Sequence, residues 1–246
     1  MDYRLVLDFG NTVLKATIYR DGMVFTQANL EAPTTEEILS FASSKPITCG
    51  ILGSVVNHSP TLIHDLAPLF PLIIVGSDTA LPITNKYLTK ESLGYDRIAA
   101  AVKGWQLFPN SPVLAIMAGT CITYNVVDKK GNFLGGAISP GLQMRAKAMH
   151  ENTKRLPLIE VKEKQPTLGN STETSLQSGV FNGTIAELEG MIYNYLKQFP
   201  GLQTVIGGGD SILLAEAMKN GIFARPNLTE EGLYTILEYH VKNHLL

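Results

Sequence analysis

The chain has 246 residues, 45% hydrophobic and 17% charged, with a formal charge of -2, which is the balance of an ordinary folded protein of one or two domains. With a pI near 6.2 it offers no basic surface to hold nucleic acid or an anionic membrane by charge, and no apolar run approaches the roughly 20 residues that span a bilayer. The chain enters an apolar strand directly after Asp2 and Arg4, Cys49 and Cys121 read as buried free thiols suited to a reducing cytoplasm, and His58, His64, His150, His240 and His244 lack ligand spacing for zinc.

The first predicted elements lie between Leu5 and Lys15: a buried strand, a carboxylate at Asp8, a polar turn and a second strand. Gly10 lets backbone approach a phosphate, Asn11 and Thr12 add side-chain donors, and Lys15 adds a positive charge. From these residues alone the segment reads equally as a phosphate turn and as a hairpin with a polar tip.

Helical spacing follows over Thr35–Ser43 and Thr61–Phe70, with strand-length apolar runs at Ile47–Val56 and Leu72–Val75. Gly94-Tyr95-Asp96-Arg97 opens an Ala-rich helix over Tyr95–Phe108. There Asp96 can accept a proton from a substrate hydroxyl while Arg97 holds an anionic group or keeps Asp96 ionised, or the pair is a helix-starting Asp beside a solvated Arg. Pro109-Asn110-Ser111-Pro112 ends that helix and marks a boundary between domains at 1–110 and 111–246.

Beyond the boundary the first pattern returns. Sliding the sequence by 109 positions sets Leu5 on Leu114, Gly10 on Gly119 and Gly22 on Gly131 without a gap, and the basic turn Arg20-Asp21-Gly22 meets Lys129-Lys130-Gly131. Gly135-Gly136-Ala137-Ile138-Ser139-Pro140-Gly141 then permits a close backbone approach to a ligand, or is a strand running into a turn. A helix is predicted over Glu173–Gln198, carrying Gly179, Gly183, Ala186 and Gly190 as a small-residue stripe suited to a tight internal contact or a dimer seam. A strand at Thr204–Ile206 runs into Gly207-Gly208-Gly209-Asp210, whose amides can face phosphate or nucleoside, and helices follow at Ser211–Lys219 and Glu230–His244. The pattern predicts an α/β fold of duplicated actin-like (ribonuclease H-like) domains, mixed sheets flanked by helices, with an active cleft between them. Two polar turns gripping one polyphosphate suit phosphoryl transfer.

With these motifs in order, the chain resembles the type III pantothenate kinases of the actin-like superfamily over nearly its whole length. Asp8-Phe9-Gly10-Asn11-Thr12 matches the family's first phosphate motif, Gly94-Tyr95-Asp96-Arg97 its pantothenate motif, and Gly135–Gly141 its Gly-Gly-x-Ile-x-Pro-Gly motif. The resemblance implies ATP-dependent phosphorylation of pantothenate, the first step of coenzyme A synthesis, in the cytoplasm. It implies Asp96 as general base, Tyr87, Gly94 and Arg97 on pantothenate, and Asp8 acting through Mg²⁺. Gly10, Asn11, Thr12 and Lys15 would hold the ATP phosphates, and Thr120, Gly135 and Gly136 would complete the nucleotide site, to which Gly208 and Gly209 belong on their position. It further implies a homodimer in which a partner's threonine, matched by Thr184, reaches pantothenate, and a monovalent cation, potassium or ammonium.

Two positions depart from the family pattern. Its second phosphate motif, Asp-x-Gly-Thr, is here Met117-Ala118-Gly119-Thr120, and a thioether does not supply the hard oxygen that potassium prefers. Lys90-Glu91 stands where the family often has Asn-Pro. A non-catalytic relative that binds nucleotide or pantothenate as an accessory regulator is the competing expectation, as is a kinase for another hydroxyl substrate.

Overall fold

The computed structural model describes residues 2–43, 45–55, 60–219 and 222–246; Val56 and His58, named above, lie outside the described residues. The chain separates into two compact units, Met1–Lys103 with Thr229–Leu246, and Gly104–Leu228.

The first unit begins with strands β1 (Tyr3–Phe9), β2 (Leu14–Arg20) and β3 (Met23–Leu30), followed by helix α1 (Thr35–Ala42), β4 (Ile47–Ser54), helix α2 (Pro60–Leu66), the short strands β5 (Leu72–Ile74) and β6 (Thr84–Asn85), and helix α3 (Tyr95–Leu107). Its sheet has the order β3-β2-β1-β4-β5. β1 pairs antiparallel with β2 and parallel with β4, so it runs through the middle of the sheet. That is why Leu5, Val6 and Leu7 are apolar in succession: both faces of a central strand are covered, and all three are fully buried. β3 at the edge leaves Met23, Val24 and Phe25 exposed. At α1, the Thr34 hydroxyl accepts from the Glu37 amide at 3.3 Å, satisfying one donor of the first turn.

The second unit repeats this plan with β7 (Val113–Ala118), β8 (Cys121–Val127), β9 (Asn132–Pro140), helices α4 (Leu142–Glu151) and α5 (Thr172–Gln198), β10 (Gln203–Gly207), helix α6 (Ser211–Ala217) and β11 (Phe223–Ala224). Its strands run β9-β8-β7-β10-β11, the first sheet's order element for element, with the same antiparallel and parallel pairings. Helix α5 starts on a capping box in which Ser171 and Thr174 serve each other's amides. Its buried side, Val180, Phe181, Leu188 and Ile192, joins Leu114, Ile116 and Ile206 in this unit's core.

Two expectations need revision. The ungapped repeat holds strand for strand but not past the first turn. Asp8 lies opposite Lys15, whereas Met117 lies opposite Thr123 rather than Tyr124. The second turn is one residue tighter, and with a side-chain period of two that slip sends Tyr124 to the other face of the sheet. The terminal helix α7 (Leu228–Lys242) is the other revision, because it packs with the first unit instead of the second. Positions one turn apart on α7 meet that sheet in series: Glu230 pairs with Lys15, Tyr234 stacks on Tyr19 with ring centroids 4.2 Å apart, and Glu238 pairs with Arg4 at 3.1 Å. Gly232 passes so close to Ala99 of α3 that a Cβ there would strike its backbone. The division between the units accordingly falls inside α3, upstream of Pro109. Among the described residues, no helix is long and apolar enough to cross a membrane.

Candidate active site

In the first unit, β1 delivers Asp8 to the carboxyl end of the sheet and the chain turns back at once. The Gly10 amide donates to the Val13 carbonyl at 3.1 Å, so it closes the turn and is not aimed outward at a phosphate. Asn11 and Thr12 project from the turn as exposed residues. The Asp8 carboxylate accepts the Tyr95 hydroxyl at 2.5 Å. Tyr95 fits because Gly53 on β4 has no side chain: a Cβ there would run into the ring. Burial first, and then the charge of Glu230, push the Asp8 carboxyl up to about 7 against the opposing pull of Tyr95 and Lys15. Lys15 is itself engaged, its Nζ standing 2.5 Å from Glu230 Oε1.

One residue beyond Tyr95, in the first turn of α3, burial raises the Asp96 carboxyl above the usual carboxylate range, although the amide and charge of Arg97 favour its ionised form. Gly94 clears the space that Asp96 Oδ1 fills, where a Cβ would collide with it. Arg97 is buried, with Nη1 3.5 Å from the Tyr87 hydroxyl and the guanidinium 5.4 Å from the Tyr87 ring centroid. Tyr87, Gly94, Asp96, Arg97 and Asp8 are thus brought together in one unit. A carboxylate made basic by burial, beside a fixed guanidinium, suits taking a proton from a hydroxyl while holding an acid group.

In the second unit three motif segments converge at the end of β7. The Gly119 amide closes its turn on the Cys121 carbonyl at 3.0 Å, and Thr120 is exposed. Gly141 donates to the Thr120 carbonyl at 3.1 Å and Asp210 to the Ala118 carbonyl at 3.1 Å. Gly208, at φ +92°, lies flat on Ala118, and a Cβ at Gly141 would strike Gly119. Gly135 is buried, while Gly136 and Gly209 are exposed. Burial alone raises the Asp210 carboxyl. Met117 stands opposite Thr123 on β8 and Gly207 on β10, so the position where the family pattern has an acid carries a thioether among neutral neighbours.

Sequence reasoning did not find the Tyr95 hydroxyl, Gly53 or Glu230 in the Asp8 network. It also missed a second network on Glu187, which accepts from Tyr124 at 3.0 Å and Ser139 at 2.5 Å and pairs with Arg145. Burial pushes the Glu187 carboxyl up, but these donors outweigh it and hold it below the usual range. Arg145 also donates to the Pro140 carbonyl at 2.8 Å, which ties the end of the glycine segment to α4 and α5. Thr184, the match to the family's partner-supplied threonine, is fully buried on α5, its hydroxyl donating to the Val180 carbonyl at 2.8 Å on its own helix. Gly179, Gly183, Ala186 and Gly190 face outward on that helix, which removes the tight internal contact from consideration.

Residues 4–194 match the family model described as type III pantothenate kinase. A type III pantothenate kinase of Christiangramia forsetii is 39% identical over 238 residues, covering 96% of this chain and 98% of that protein. Among solved structures, a conserved Baf family protein from Campylobacter jejuni has a TM-score of 0.61 at 22% identity, covering 98% of this chain and 100% of that one. The inorganic polyphosphate/ATP-glucomannokinase of an Arthrobacter species has a TM-score of 0.50 at 14% identity, covering 99% of this chain and 100% of that one. Likeness at these identities establishes the fold, a duplicated actin-like architecture shared with sugar kinases.

Proposed function

The chain belongs to the type III pantothenate kinase family, and we propose that Asp96 is its general base, accepting the proton of the pantothenate primary hydroxyl as that oxygen attacks the γ-phosphorus of ATP. The activity is ATP-dependent phosphorylation of pantothenate in coenzyme A synthesis. The observation that carries the role of Asp96 is its place in the first turn of α3, desolvated, with Arg97 and Tyr87 fixed beside it. In this reading Arg97, Gly94 and Tyr87 hold pantothenate through its carboxylate and amide. Asn11, Thr12 and Lys15 take the ATP phosphates, and Thr120, Gly135, Gly136, Gly208 and Gly209 serve the nucleotide.

A kinase of this family uses a divalent metal with ATP, and the chemistry around Asp8 fits Mg²⁺. A hard carboxylate that burial and a second acid have left short of positive charge makes the demand such an ion meets. Asp8 would hold it, and the ion would offset charge on the transferring phosphoryl oxygens. Met117 does not fit a potassium or ammonium site, since its sulfur is soft and its cross-strand partners are neutral. The outward small-residue face of α5 supports a homodimer, and cytoplasmic residence accords with the substrates.

Turnover is tested by ADP release that requires both ATP and pantothenate. Asp96→Asn should lower kcat by on the order of 100-fold or more while pantothenate still binds. A loss of less than a few-fold would remove Asp96 from the role of base.

A further inference from the structure

The lysine assigned to the nucleotide phosphates already has a carboxylate partner. Asp8 and Lys15 are opposed across β1 and β2, so both side chains rise from one face of the sheet. Helix α7 brings Glu230 to that face from 215 residues away, with its Oε1 2.5 Å from Lys15 Nζ. The two partners differ in access: the Glu230 side chain is 3% exposed and that of Lys15 28%. Solvent, and with it an incoming anion, reaches the cation but not its anchor. Tyr234 on Tyr19 and Glu238 on Arg4 fix α7 in register, so Glu230 is not free to follow Lys15. The lysine stem, by contrast, moves by side-chain torsions alone.

We propose that Glu230 is a positioning residue for Lys15, holding the ammonium beside Asp8 until a nucleotide polyphosphate takes it over. The inference rests on Lys15 acting on ATP phosphates as described above. Binding then carries a cost, because a buried carboxylate gives up part of its cation. Glu230 therefore weakens resting ATP affinity and in exchange fixes the place from which Lys15 acts.

The test is Glu230→Gln in the full chain, which keeps the shape and an acceptor oxygen but removes the charge. By titration calorimetry, the Kd for Mg-ATP should tighten on the order of 3- to 10-fold, because Lys15 no longer has to leave a buried carboxylate to meet the phosphates. The kcat for pantothenate-dependent ADP release should fall, because the lysine loses its fixed position. Glu230→Asp keeps the charge on a shorter stem. It should leave ATP affinity within about two-fold of the parent while kcat still falls, and it serves if the glutamine variant does not fold. In a Lys15→Met background, Glu230→Gln should tighten ATP binding much less than in the parent and raise the melting temperature, since it then removes a buried acid with no cation. Unchanged affinity in Glu230→Gln, or an equal change in both backgrounds, overturns the proposal. A parent chain that binds Mg-ATP but releases no ADP overturns the kinase reading instead, and the affinity comparison still decides the role of Glu230.

Discussion

The two turns that begin the two units share a strand order and differ in charge. At the first, Asp8 faces Lys15 across the hairpin, and Tyr95 and Glu230 close around the pair. At the second, Met117 faces Thr123, and the surrounding contacts are backbone amides on the carbonyls of Ala118 and Thr120. One copy of the duplicated hairpin thus carries a charged, partly desolvated constellation, whereas the other presents close-packed backbone. A duplication preserves the path of the chain while each copy specialises, one keeping charge at its turn and the other close-packed backbone.

The most severe way to break this comparison is to truncate both turns. Asp8→Ala should lower kcat/KM on the order of 100- to 1,000-fold, and Met117→Ala only a few-fold, in steady-state ADP release with saturating pantothenate. Equal losses would mean that the second turn also works through a side chain at that position.

A stability measurement sharpens the same contrast. The folded Asp8 carboxyl sits at about 7, above its unfolded value. The protonated acid therefore favours the folded state at low pH, and stability is lost as pH rises from the unfolded value through about 7. Asp8→Asn removes that burden. Without added metal, its melting should show a gain on the order of 2–4 kcal/mol over the parent at pH 8, shrinking toward zero near pH 4. A variant less stable at pH 8 would show that Asp8 is held for stability rather than against it.

The smallest effect is expected from restoring the family's acid at the second turn. Met117→Asp should raise turnover a few-fold or make it respond to potassium chloride titration. An indifferent response with both substrates bound would leave the neutral turn as the working form.

Much of this molecule was legible because its signals are local. The strand-for-strand repeat, most of the longer helices and strands, and the grouping of Gly94, Asp96 and Arg97 follow from apolar spacing and turn residues that sit close together in the chain, whereas α4 and the two-residue strands β6 and β11 carry no such signal. The misses were long-range. Nothing near Lys15 announces Glu230, and the spacing of Glu230, Tyr234 and Glu238 has no meaning until α7 is placed on β1 and β2. The register slip was hidden because an ungapped match of strands does not report how many residues a turn consumes. Gly53 escaped notice because a glycine within an apolar strand declares no purpose until Tyr95 is seen lying on it. Motif position likewise does not reveal that α5 turns the Thr184 hydroxyl onto its own Val180 carbonyl.

The return of α7 to the first sheet also bears on the order in which the protein is made. The second unit is one continuous stretch, Gly104–Leu228, and has every residue of its core once that stretch has left the ribosome. The first unit waits: Arg4, Lys15 and Tyr19 emerge early, yet their partners on α7 are synthesised more than 200 residues later. A nascent chain therefore exposes the face of β1 and β2 through most of its synthesis. The half encoded first is the half completed last, a vectorial delay that leaves its early strands in need of protection from aggregation.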